Sequence, residues 1–124
     1  MALLETAIVA SDWLKAEDGS YRSRDTAIIA AGSGKLVSGT VLAKVGAKYV
    51  PAAAAGSDGS QTAVAVLLFP VDATSADAKA VIVSRHAIAS HNGLTYGATI
   101  NDATKRAAAN AQLGAVGIIV RQGA

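Results

Sequence analysis

Apolar and polar positions alternate along most of this chain, in runs too short for long helices. Gly39-Thr40-Val41-Leu42-Ala43-Lys44-Val45 reads as a strand with Val41, Ala43 and Val45 on one face. Thr26 to Ala31 precedes it as another apolar segment, closed by a Gly32-Ser33-Gly34 turn. Gly46-Ala47 turns the chain into Lys48-Tyr49-Val50, and Pro51 keeps that strand from pairing centrally. Ala52 to Ser60 is a small-residue loop with a turn at Asp58-Gly59. Thr62 to Phe69 is apolar on both faces: Ala63, Ala65, Leu67 and Phe69 on one, Val64, Val66 and Leu68 on the other. That pattern predicts a strand covered on both sides and ended by Pro70.

Farther along, Thr74-Ser75-Ala76-Asp77 has capping-box spacing and predicts one short helical turn. Ala80 to Ser84 is strand again, closing at Arg85-His86, and Asn92-Gly93 is a turn. Asn101-Asp102 opens a helix to about Leu113, with Ile100, Ala103, Ala107 and Ala111 as its inner stripe and Gly114 just past its end. Val116 to Val120 is the last strand, ended by Arg121. The whole reads as a mainly β (α+β) domain of the small β-clip or barrel kind, with one or two short helices.

Residues 1–23 break the pattern. Glu5, Asp12, Lys15, Glu17 and Asp18 are mixed with Leu3, Leu4, Ile8, Val9, Trp13 and Leu14, and Glu17-Asp18-Gly19-Ser20 is turn-like. This stretch is either a frayed terminus or strand of the domain, or an N-terminal arm that orders on a partner. The chain's only Trp lies in it, and Trp is enriched at interface anchors. The division adopted is an arm over 1–23 and a β-rich domain over 24–124, with Leu3, Leu4, Ile8, Val9 and Trp13 as the arm's apolar anchors.

Composition narrows the function. The 124 residues make one small domain, and 29 of the apolar residues are alanine, which buries little area. Few large side chains remain to build a core, so self-association is an expected remedy. There is no cysteine, which removes disulfides and thiolate metal sites. The net charge is +2 without a basic cluster, so no direct nucleic-acid contact is expected. The longest apolar run, Ala63 to Val71, is nine residues, against the roughly 20 a spanning helix needs, and no membrane association is expected. No secretory signal is evident in Met-Ala-Leu-Leu-Glu.

Catalytic chemistry finds little support. Gly32-Ser33-Gly34-Lys35 lacks the first glycine and the final Ser or Thr of a phosphate-binding loop. His86 and His91 have no acidic cluster with which to hold a metal, and no cofactor is expected. No nucleophile-elbow sequence occurs. Arg24, Arg85 and Arg121 flank apolar strands. They are either strand-end charges, for which Asp25 and Asp72 are available partners, or fixed charges in a subunit interface.

One ordered set of short segments resembles the lambda-type bacteriophage head decoration proteins. Ser23-Arg24-Asp25 is followed by Lys35-Leu36-Val37-Ser38-Gly39-Thr40-Val41-Leu42 and Asp58-Gly59-Ser60-Gln61-Thr62-Ala63. Next come Val71-Asp72-Ala73-Thr74-Ser75-Ala76-Asp77, Val83-Ser84-Arg85-His86 and Leu113-Gly114-Ala115-Val116-Gly117-Ile118-Ile119-Val120-Arg121. Ala65 stands where the family often carries Gly. The resemblance implies a non-enzymatic virion protein made in the host cytoplasm. Such a protein sits as a homotrimer on the outside of the expanded head, at three-fold and quasi-three-fold positions. It would bind the major capsid protein through its arm and stabilise the shell against DNA packaging pressure. A tail or baseplate β-module and a small ligand-binding β-barrel, with a sugar as one candidate ligand, are the competing classes. The latter needs a concave pocket bearing one of Trp13, Tyr21, Tyr49, Phe69 or Tyr96.

Overall fold

Five short strands close on themselves into a barrel, and this closure organises the molecule. The computed structural model describes residues 13–17 and 23–122. The strands are β1 (Leu14–Glu17), β2 (Arg24–Ile29), β3 (Gly34–Leu36), β4 (Val41–Val45), β5 (Lys48–Pro51), β6 (Ala63–Leu67), β7 (Val71–Ala73), β8 (Ala78–Val83), β9 (Ala87–Ser90) and β10 (Ile118–Arg121). A 3-10 turn spans His91–Gly93 and one helix, α1, spans Ala103–Ala115. The barrel order is β2-β5-β4-β6-β8, with β8 antiparallel to β2. A three-stranded sheet, β1-β9-β10, and a two-stranded sheet, β3-β7, complete the described fold. The protein is therefore mainly β, as its alternating pattern predicts.

Small residues share the barrel interior with a few large ones. Ala27, Ala65, Ala73 and Ala80 share it with Ile29, Leu42, Leu67 and Ile82. A barrel this narrow holds few large side chains, so small residues must fill the rest. Ala65, paired with Leu42 across the sheet, is fully buried there. A second core lies outside the barrel wall. There Val41, Ala43, Val66, Leu68 and Val83 meet Trp13, Ala89, Leu113 and Ile118 from the three-stranded sheet and α1. The barrel wall is thus apolar on both faces, as predicted for the Thr62–Phe69 segment.

The assignment of individual residues to those faces needs correction. The β4–β6 register shifts between Leu42 and Ala43, so Ala63 joins Val66 and Leu68 in the outer core while Ala65 and Leu67 point into the barrel. An irregularity of one residue reverses a strand's parity. Beyond β6, Leu68 is buried and Phe69 is 51% exposed. The expectation that Pro51 keeps β5 from pairing centrally is corrected: β5 lies between β4 and β2 in the closed barrel, bonding along its length to β4 and to β2 at Tyr49.

Two further expectations change. Thr74–Asp77 forms no helical turn. Asp72 Oδ1 instead accepts from the Thr74 amide and hydroxyl, while Asp77 accepts from the Ala31 amide and pairs with Lys48. Local carboxylate bonds satisfy the backbone that a helix would have used. Helix α1 begins as predicted, with the Asp102 side chain accepting from the Lys105 amide at 2.8 Å. Its inner face, however, is Ala109 and Leu113, while Ala103, Ala107 and Ala111 are exposed; of the predicted stripe only Ile100, before the helix, is buried. Gly114 lies inside the helix. The left-handed residue after its end is Gly117, at φ +89°.

Candidate interaction surfaces

The residues proposed as arm anchors divide into two groups. Leu3, Leu4, Ile8 and Val9 lie outside the described residues. Trp13 is a core residue with no exposed surface. Its indole Nε1 donates to Ser38 Oγ at 2.8 Å, and Ser38 Oγ donates to the Leu68 carbonyl at 2.7 Å. A Cβ on Gly39 would lie 2.9 Å from Trp13 Cδ1, so the glycine makes room for the ring. The reading of Trp13 as an exposed docking anchor is corrected accordingly: burial and a satisfied N–H make it a clamp within the domain. Leu14–Glu17 continues from it as β1, antiparallel to β9. The strand-of-the-domain reading therefore applies to residues 13–17.

The flanking arginines hold strand ends within the chain. Arg24 pairs with Glu17, tying β2 to β1, and Ser23 Oγ donates to the same carboxylate. The Arg24 hydrogen bond holds the Glu17 carboxyl below its ordinary pKa, against the opposing effect of burial. Arg85 pairs with Asp25, one of the two partners anticipated. The Ser84 hydroxyl and then Arg85 keep the Asp25 carboxyl below its usual range, again opposed by burial. Arg121 ends β10 opposite Ser90 and is exposed.

Two apolar surfaces emerge that strand patterning alone did not single out. On the outer face of the three-stranded sheet, Ala16, Ile88 and Ile119 lie in one cross-strand row. Ile119 is 50% exposed, and a groove of about 380 Å³ runs beside it, bounded by Glu17, His86 and Gly117. The second surface surrounds β3 and β7, where Leu36, Val37, Pro70 and Val71 line a groove of about 390 Å³. Val37 and Phe69 are exposed nearby in sequence and fold. A solvent-facing sheet usually carries polar residues at such positions. The signal was present in the unbroken runs Ile118-Ile119-Val120 and Leu68-Phe69-Pro70, but only the folded register shows which member faces out.

A polar cluster joins the 3-10 turn to α1. Tyr96 Oη donates to Asn110 Oδ1 and lies 2.9 Å from His91 Nδ1, and Asn110 Nδ2 lies 3.1 Å from the same nitrogen. Burial raises the Tyr96 hydroxyl above its ordinary pKa. His86 is apart from this cluster, at the start of the β9 segment. Among the described residues no three His, Cys, Asp or Glu converge as a metal site. No helix among them is long and apolar enough to cross a membrane.

These surfaces acquire a context from comparison with known proteins. The family model of bacteriophage lambda head decoration protein D matches residues 3–118. The match runs from before β1 to the first residue of β10 and so takes in the barrel, the β3–β7 sheet and α1. No curated protein matches the chain. With residues 3–118 of the sequence matched and a β-dominated fold, the chain belongs to the family of bacteriophage lambda head decoration protein D.

Proposed function

We propose that this phage head decoration protein binds the outside of the expanded shell at three-fold and quasi-three-fold positions. It acts there as a homotrimer on the major capsid protein and braces the shell against the pressure of packaged DNA. The observation that carries this reading is the family match over residues 3–118. Exposed Ile119 beside half-buried Ile88, and exposed Val37 and Phe69, support it as groups available for contact. Three modest contacts held in one trimer act together, because docking of the first raises the effective concentration of the others. A cyclic trimer also matches the symmetry of a three-fold site, so each copy meets an equivalent surface. Preference for the expanded form follows if its contacts exist only there, since a ligand shifts a population only through differential affinity.

Leu3, Leu4, Ile8 and Val9 remain the proposed capsid-binding positions, with backbone pairing as the mode and side chains setting register. Co-sedimentation with expanded and unexpanded shells tests both parts. Full-length protein is expected to pellet with expanded shells alone. A chain lacking residues 1–11, which spares Trp13, is expected to fold and stay in the supernatant. Failure of the full chain to pellet with either shell would overturn the decoration reading. Undiminished binding by the shortened chain would overturn the arm.

A further inference from the structure

The described residues include three half-buried arginines, Arg24, Arg85 and Arg106. The first two face carboxylates, Glu17 and Asp25. Arg106 has no carboxylate partner among the described residues. The nearest acid along its helix, Asp102, is engaged by the amide and ammonium of Lys105. The Arg106 guanidinium lies instead over the Tyr96 ring, 5.9 Å from its centroid. It lines a cavity of about 490 Å³ on one side and one of about 230 Å³ on the other. No Asp or Glu among the described residues lines either cavity.

A guanidinium without a carboxylate beside it is available for one, and its planar fork suits a carboxylate. The larger cavity offers more than a charge. The Asn92 amide and the Thr95 hydroxyl line it and make no hydrogen bond with any described residue. Leu94 and Ile100 form its apolar part, and Asn101, whose Oδ1 accepts from Lys105 Nζ at 3.2 Å, offers its amide N–H groups. Tyr96 is held in place through its hydroxyl by Asn110 and His91, so this wall is pre-positioned. The volume far exceeds that of a simple anion and falls in the range of small-molecule sites. The Arg106 guanidinium, the unengaged side chains of Asn92 and Thr95, the Asn101 amide and an apolar floor together match a ligand with one carboxylate, several hydroxyls and an apolar ring face.

We propose that this cavity binds an acidic sugar, its carboxylate on Arg106 and its hydroxyls on Asn92, Thr95 and Asn101. The role is additional to shell decoration, and every residue invoked belongs to one chain. Titration of the isolated full-length protein with D-glucuronate and N-acetylneuraminate, followed by NMR, tests it. Saturable shifts are expected at Asn92, Thr95 and Arg106 for one or both acids, with glucose and acetate bound about tenfold more weakly or worse. Arg106→Gln should weaken binding about tenfold or more without changing the thermal midpoint, and Arg106→Lys should fall between it and the native protein. Three results would overturn the proposal: no saturable shift with either acid, native affinity in Arg106→Gln, or a short acidic peptide occupying the cavity in preference to both sugars.

Discussion

Trp13 shows how one side chain can change a domain boundary. Its neighbours Asp12 and Lys15 are polar, and the local sequence reads as an arm. What places it in the core is Ser38, 25 residues away, which accepts the indole N–H, together with the space left by Gly39. No local pattern carries that information. Trp13→Ala is expected to cost about 3–5 kcal/mol, the range for emptying a large aromatic site. Trp13→Phe keeps most of the volume and is expected to cost about 1–2 kcal/mol through the lost hydrogen bond at Ser38. Denaturant unfolding measures both. Glu17 gives a second test through pH. Its folded pKa is lowered, so its contribution is complete above the ordinary carboxylate value and is lost as pH falls through the lowered one. Unfolding free energy of the native protein should therefore decline in that acid window, and Glu17→Gln should flatten the decline. Equal slopes in the two proteins would show that the Glu17–Arg24 pair does not couple folding to pH.

The five barrel strands and β10 were readable because each is an apolar run that must bury something, whereas the short strands β3, β7 and β9 were not, and turn positions were readable from Gly, Pro and Asn. Face assignment was less so. The β4–β6 irregularity reverses parity at Ala63, and nothing in Thr62-Ala63-Val64-Ala65 announces it. Helix α1 shows a similar limit. With alanine on every side, the stripe that packs is chosen by its neighbours: Leu113 turns toward the outer core, and Gln112 accepts from the Ala63 amide at the start of β6. The helix end provides a paired test. Gly114 is helical and a Cβ there meets nothing within 4 Å, so Gly114→Ala should stabilise by about 0.5–1 kcal/mol. Gly117 sits at φ +89°, and a Cβ there would be 3.2 Å from the His86 amide nitrogen. Gly117→Ala should destabilise by more than about 1 kcal/mol. Thermal or denaturant unfolding of the two variants should give opposite signs, and matching signs would contradict the observed helix end.

The molecule as a whole combines a filled barrel with apolar groups left in solvent. Among the described residues Ile119, Phe69 and Val37 belong to neither apolar core and remain exposed. Ile119→Glu should change unfolding free energy by only about 0.5 kcal/mol, as exposed substitutions do. It should nevertheless reduce shell binding about tenfold if the three-stranded sheet forms part of the contact. The family resemblance was legible as an ordered set of short segments, since turn residues and strand starts survive in sequence. The contact surfaces were not, because exposure depends on register and on which face the barrel has already claimed. The most direct measurement is a three-dimensional reconstruction of expanded heads incubated with this protein. The account predicts added density on the outer surface, as trimers at three-fold and quasi-three-fold positions. Bare outer surfaces, or density confined to the interior or to the tail, would contradict it.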